Sequence, residues 1–131
     1  MRLALHTWTL DATPLAAALL AELRRAGVNL LAFTGFHSGR GAQVDFVPED
    51  GAAFRAVAKK AKWKVTGPKR ALLVMGDDRP GVIAEFMQRL ADAKINVTAI
   101  DALCAGSGRY GAIVWVEPRD VTKAARTLGV S

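Results

Sequence analysis

The sequence predicts an α+β protein made of two copies of one strand–helix–strand–strand–helix–strand unit. Three observations predict it: the chain repeats itself, each half carries apolar residues at helical spacing, and segments rich in glycine and proline separate the apolar runs. Strands in this order form a four-stranded antiparallel sheet with both helices on one face, the ferredoxin-like arrangement. The predicted units are residues 1–66 and 70–131, with "TGPKR" (66–70) as the linker.

The internal repeat is sparse in identities but constant in order. "LDATPLAAALLAELRRAGVNLLAF" aligns with "GDDRPGVIAEFMQRLADAKINVTAI", which places Pro14 on Pro80 and, after one gap, Asn29 on Asn96. Further on, "SGRGAQVDFV" aligns with "SGRYGAIVWV". One unit of about 65 residues, present twice, accounts for these matches.

The first half of each unit is predicted from its apolar runs. "RLALHTWTL" and "RALLVMG" are the first strands. Each first helix begins at a proline, Pro14 or Pro80, because proline is tolerated in the first turn of a helix. The helical apolar positions are Leu15, Leu19, Leu23 and Val28 in one unit, and Val82, Ile83, Phe86, Met87 and Leu90 in the other.

The second half of each unit is predicted from turn signals. Strands are expected at 29–36 and 96–103, turns at "HSGRG" and "AGSGR", and strands again at 42–47 and 110–116. "PEDGAAFRAVAKKA" and "PRDVTKAARTLG" predict the second helices. "KWKVT" predicts the last strand of the first unit, whereas only "GVS" remains for that of the second, so this strand is short or missing.

Composition restricts the class of protein. The chain has 131 residues, about half of them apolar, which suits a packed core rather than disorder. Cys104 is the only cysteine, so no internal disulfide is possible and no cysteine-based metal site is expected. No apolar stretch approaches the ~20 residues of a membrane span. "PLAAALLAEL" is interpreted as a helix face, with a cleaved signal peptide as the minor alternative, and a cytoplasmic protein is expected.

The net charge is +6, and much of it is local. Basic residues are clustered between positions 59 and 70. Such a cluster suits either the binding of a polyanion, including nucleic acid, or simply the solvated end of a helix, and the second interpretation is favoured. The cluster consists of Lys59, Lys60, Lys62, Lys64, Lys69 and Arg70.

The loop before the helix of the second unit has the chemistry of a small-ligand site. Backbone N–H groups in the first turn of a helix lack partners and attract an anion such as a carboxylate. Gly81 allows close approach to the backbone, and Asp77 or Asp78 is suited to accept hydrogen bonds from an ammonium group. Asn96 offers both donors and an acceptor. Together these groups suit a free amino acid.

Each of these residues also has a purely structural interpretation. Asp78 suits a helix N-cap, Pro80 suits a helix start, and Asn96 suits a turn between helix and strand. Taken singly, each residue favours that interpretation; the combination favours a site.

The combination also resembles a known family. "DDRPGVIAEFMQRLADAKINVTAI" resembles the ACT domain, a regulatory module of amino-acid-metabolic enzymes, in its Arg-Pro-Gly loop, its apolar helix and its Ile-Asn-Val strand start. Residues 72–116 fit this pattern well and the first unit fits as a weaker copy. The resemblance implies a tandem of two ferredoxin-like ACT units that pair into larger sheets and bind an amino acid at the interface between units.

The resemblance also implies which residues meet the ligand. In the family, the loop and helix start of one unit act with second-strand residues of its neighbour. The corresponding residues here are Asp77, Asp78, Arg79, Pro80, Gly81, Val82 and Asn96, and, in the first unit, Asp11, Ala12, Thr13, Pro14, Leu15 and Asn29. The first unit departs from the pattern, because Thr-Pro-Leu replaces Arg-Pro-Gly and Leu15 crowds the backbone approach.

Two rival functions fit the sequence less well. RNA recognition motifs share the order of elements, but they stack bases on alternating strand aromatics, and "GRYGAIVWV" lacks that alternation. A small enzyme is the weaker rival, because His6 and His37 have no matched catalytic partner in the sequence. His6 is expected to be a packed or edge residue and His37 a turn residue. Trp8 and Trp115 are assigned to packing first and to ligand contact second.

The function expected from the sequence is therefore regulatory and non-catalytic. The chain is expected to bind an amino acid or similar small ligand without a cofactor or metal, to form a homodimer and to pass the signal to an unidentified partner, with regulated enzymes as one class. A membrane partner is not expected.

Overall fold

The computed structural model describes residues 2–12 and 16–130. Its elements in chain order are β1 (Arg2–Ala12), α1 (Ala16–Arg25), β2 (Leu30–Ser38), β3 (Gly41–Pro48), α2 (Gly51–Lys60), β4 (Thr66–Asp77), α3 (Val82–Asp92), β5 (Val97–Gly106), β6 (Arg109–Val116), a 3₁₀ turn (Pro118–Asp120) and α4 (Val121–Leu128). The strand order is β2-β3-β1-β4-β6-β5, and the pairings β1–β3, β2–β3, β4–β6 and β5–β6 are antiparallel. The predicted α+β class with an antiparallel sheet is confirmed.

The chain divides into two compact units. One consists of His6–Lys69, and the other of Met1–Leu5 together with Arg70–Ser131. The predicted boundaries were residues 1–66 and 70–131, so the first residues of β1 fall in the unit that was predicted to begin at residue 70. Among the described residues after α4, Gly129 and Val130 are not in a strand.

The unit His6–Lys69 has an aromatic core under its helices. Phe54 of α2 is fully buried, and its ring lies 4.9 Å from that of Trp8 and 5.2 Å from that of Phe46, measured between centroids. Leu23 of α1 is also buried in this cluster, as its helical spacing predicted. Val28, predicted as part of the same helix, is buried but lies after the end of α1 at Arg25. Asp50 caps α2, because its Oδ1 accepts a hydrogen bond from the Ala53 N–H at 3.0 Å.

The unit of Met1–Leu5 and Arg70–Ser131 has an aliphatic core. Phe86 and Leu90 of α3 pack against buried residues of β4, β6 and α4, as their spacing predicted, and Val82, Ile83 and Met87 are partly buried around them. Tyr110 and Trp115 of β6 are both buried. The β5–β6 hairpin turns through Ser107 and Gly108, which both have positive φ, as a type I′ hairpin turn requires.

Several predicted elements are wrong in detail. The predicted linker 66–70 is the start of strand β4. The strand predicted over residues 62–66 is mostly absent, because residues 61–62 form the turn that ends α2 and residues 63–65 are not in a strand. His37 was predicted in a turn and lies in β2 instead. Pro80 was predicted in the first turn of α3, which begins only at Val82.

Candidate functional site: the loop at the start of α3

The loop of residues 77–81 joins β4 to α3 and is tied down on one side by β6. The Asp78 N–H donates to the Gly108 carbonyl at 2.8 Å, and Arg109 donates to the Asp77 carboxylate at 2.6 Å. Asp77 and Arg109 are also register partners of β4 and β6. These contacts fix the end of β4 next to the β5–β6 turn.

Asp78 has a different role from the one that its local sequence suggested. The N-cap of α3 is Gly81, so the interpretation of Asp78 as the helix cap is wrong. Its Oδ2 instead accepts a hydrogen bond from the Cys104 thiol at 3.2 Å. Asp78 and Cys104 are both exposed, so this bond lies at the surface.

Gly81 leaves the start of α3 open. It has φ 84°, in the left-handed region, and no side-chain oxygen caps the helix. A Cβ placed on Gly81 would meet no other atom within 4 Å. The Val82 N–H donates to the Arg79 carbonyl at 3.2 Å, so the donors that this end of α3 presents on an uncrowded surface are the next N–H groups of its first turn.

The Arg79 side chain is paired with the first turn of α3. Its guanidinium donates to both carboxylate oxygens of Glu85 in the first turn of α3. The hydrogen bond to Glu85 raises the pKa of Arg79, and the bond from Arg79 lowers the pKa of Glu85. Both side chains are exposed, so a ligand carboxylate could exchange with that of Glu85 at this guanidinium.

Asn96 lies far from this loop within its own unit. It precedes Val97, which pairs with Val116, whereas the loop is beside Arg109 at the other end of β6. Strand β5 has 10 residues and, at ~3.4 Å per residue, spans about 30 Å. The structure brings together Asp77 to Val82 but does not bring Asn96 to them. Asn96 is exposed at the start of β5.

The corresponding residues of the first unit show the same separation. Asp11 and Ala12 end β1 and pair with Gln43 and Ala42, beside the β2–β3 turn. Asn29 lies at the other end of β2, where its side-chain amide donates to Glu49 Oε2 at 3.3 Å and its backbone carbonyl accepts from the Glu49 N–H at 2.9 Å. The predicted site residues Thr13, Pro14 and Leu15 lie outside the described residues.

Three residues beside the predicted site were not found from the sequence. Glu85 binds Arg79, Arg109 binds Asp77 and Cys104 binds Asp78. Glu85 could have been found as an acidic residue in the first turn of the predicted helix, and Arg109 could have been found from the pairing of β4 with β6. Nothing in the sequence pointed to Cys104.

The rival functions depend on the strand aromatics and on the two histidines. Tyr110 and Trp115, the aromatic residues of β6, are 8% and 5% exposed, so neither offers a face on which a base could stack. His6 and His37 are exposed, with the ring centroid of His6 5.4 Å from that of Trp8.

Within residues 2–12 and 16–130, no three His, Cys, Asp or Glu side chains are grouped to hold a metal ion. Among the same residues, no helix is long and apolar enough to cross a membrane.

Comparison with known proteins was informative only at the level of structure. No protein-family model matches the sequence, and no curated protein matches it. Protein BT0572 from Bacteroides thetaiotaomicron superposes with a TM-score of 0.81 at 12% identity, covering 97% of this chain and 90% of that one.

Two regulatory proteins share the fold as well. The ligand-free regulatory subunit of aspartate kinase from Thermus thermophilus gives a TM-score of 0.64 at 15% identity, covering 95% of this chain and 91% of that one. The regulatory subunit from Thermus flavus gives 0.60 at 17% identity, covering 95% and 90%. These likenesses support the predicted ACT-type fold. At such identities they show the fold alone.

Proposed function

We propose that this protein is a non-catalytic regulator built from two ACT units, which binds a free amino acid or a similar small ligand at an interface between units. One observation carries the proposal: the start of α3 is uncapped, and Gly81 leaves open space over it. A ligand carboxylate fits the N–H groups there, and the Asp77 and Asp78 carboxylates lie on the same loop for an ammonium group. The fold shared with aspartate kinase regulatory subunits supports a regulatory role.

The strand order supports two ferredoxin-like units, one in each compact part of the chain. In His6–Lys69 the order is β2-β3-β1-β4, with the start of β4 as the fourth strand. In the other unit the order is β5-β6-β4-β1, with the start of β1 as the fourth strand. On this interpretation, the last strand of the second unit, for which the sequence left only "GVS", is supplied by the start of β1.

A homodimer is part of the proposal. The loop and Asn96 lie at opposite ends of β5, so a ligand that meets both must bridge a unit and a neighbouring one. Strand β5 is at the outside of the strand order, and its Leu103 is 64% exposed. A second copy that covers this edge would also remove an unpaired strand. The ligand would then act by favouring one arrangement of the copies, which a partner such as a regulated enzyme would detect.

A thermal-shift screen against the standard amino acids tests the proposed function. A ligand that binds only the folded chain raises the melting temperature by mass action. We expect one amino acid, or a few related ones, to do so in proportion to the logarithm of their concentration. The absence of a shift with every amino acid would contradict the ligand class.

Gly81→Leu should weaken this binding by at least tenfold, about 1.4 kcal/mol, because the side chain would occupy the open space at the start of α3. Isothermal titration calorimetry with the amino acid found in the screen measures the effect. The matched control is Gly129→Leu, since Gly129 caps α4 with φ 70° and also has no atom near a built Cβ. Equal affinity in both variants would exclude the α3 start as the site.

Asn96→Ala should weaken binding by about 1–3 kcal/mol if its exposed amide hydrogen-bonds the ligand. Asn29→Ala is the comparison, because the Asn29 amide already donates to Glu49. We expect the same titration to show a loss for Asn96→Ala and little change for Asn29→Ala. A loss in Asn29→Ala alone would move the working site to the first unit.

A further inference from the structure

A cleft lies in the unit His6–Lys69, which does not contain the loop at α3. It is formed by one side of α2, the segment after α2 and the buried Trp8, and its volume is about 420 Å³. This volume is within the range of small-molecule sites. The cleft is lined by Trp8, Arg55, Ala56, Ala58, Lys59, Trp63, Val65, Gly67 and Pro68.

The charge of the cleft is uniformly positive. Arg55 and Lys59 lie four residues apart on α2, and both are exposed. Neither makes a side-chain hydrogen bond or ion pair with any residue of the described part of the chain, and no acidic residue lines the cleft. Like charges at this spacing destabilise a helix slightly, so an anion placed between them would relieve that repulsion.

The apolar part of the cleft is aromatic and preformed. Trp8 is 3% exposed and is held against the Phe54 ring, with Gly51 leaving room for its indole. Trp63 is half-buried, with its ring centroid 6.1 Å from that of Phe46 in a stacked orientation. The half-buried Trp63 offers part of its indole to a planar ring, whereas Trp8 is almost fully buried and forms only the floor of the cleft.

We propose that this cleft binds a small aromatic anion, meaning a planar ring that carries a carboxylate or a phosphate. The ring would lie against Trp63, above the floor formed by Trp8, and the anionic group would meet Arg55 and Lys59. A free amino acid is a poor fit, because its ammonium group would lie beside two cations with no carboxylate among the lining residues. The cleft therefore differs in ligand chemistry from the loop at α3 and does not depend on that site.

Calorimetric titration of the whole chain tests this site with two pairs of probes. The anions are 2-naphthoate and adenosine monophosphate, and their neutral counterparts are 2-naphthamide and adenosine. We expect at least one anion to bind, with its neutral counterpart at least tenfold weaker. Binding of naphthoate alone would assign a carboxylate ligand, and binding of the nucleotide alone would assign a phosphate ligand.

Variants on the surface of α2 place the binding in the cleft. Arg55→Gln and Lys59→Gln should each weaken the binding of the anion about tenfold, because each removes a charged hydrogen-bond donor. Lys60→Gln is the matched control, since Lys60 is on the same helix but does not line this cleft. All three residues are exposed, and circular dichroism verifies that the variants fold. No binding of either anion, or full binding in the Arg55→Gln/Lys59→Gln double variant, would overturn the proposal.

Discussion

Replacing Phe54 by alanine should lower the free energy of unfolding by about 3–5 kcal/mol, the cost of emptying a large aromatic site in a core. Phe54 is fully buried and packs against three other aromatic rings, those of Trp8, Phe46 and Trp63, so its removal leaves a cavity that rigid neighbours cannot fill. Guanidinium denaturation, followed by circular dichroism, measures the change.

Phe36→Ala is the control for the same chemical deletion. Phe36 is 49% exposed on β2, so its truncation should cost within about 0.5 kcal/mol. Phe54→Leu should fall between the two, because it keeps part of the volume. If Phe54→Ala costs no more than Phe36→Ala, the aromatic cluster is not the core of the unit His6–Lys69.

The cores were predictable because helical periodicity reports burial directly. Leu23, Phe86 and Leu90 were marked by spacing alone, and all three are buried in helices. Val28 was marked in the same way and is buried, but it follows the end of α1. The hairpin strands were also predictable, since short turns with glycine bound each apolar run. β3 and β6 therefore begin and end within one residue of their predicted limits.

The segment joining the two predicted units was not predictable from local signals. Gly67 and Pro68 are typical of a break, yet they lie in β4. Here a tertiary contact decides: the backbone of Gly67 lies against Thr7 and Trp8 of β1, far away in the sequence. Local propensity cannot report a pairing between strands that are about sixty residues apart.

The candidate site was predictable in part for the same reason. Asp77 to Val82 are consecutive, so any fold that starts a helix near Pro80 keeps them together. Asn96 was grouped with them by its place in the repeat. It follows the whole length of α3, however, and lies at the end of β5 that is remote from the loop. The partners of the loop, Arg109 and Cys104, depend on strand register, which sequence spacing alone did not give.

Gly67→Ala should be destabilising by roughly 2–5 kcal/mol, although the residue is exposed. Gly67 has φ 124°, where side chains are strained, and a Cβ there would lie 2.7 Å from the Thr7 carbonyl oxygen. Since that atom belongs to the backbone of β1, relief requires the strands to separate. Gly39→Ala separates the backbone strain from the steric clash, because Gly39 has φ 58° but a Cβ there would have no neighbouring atom within 4 Å. It should lose only the strain of about 1–2 kcal/mol. Equal losses by guanidinium denaturation would mean that β4 does not approach β1 this closely at Gly67.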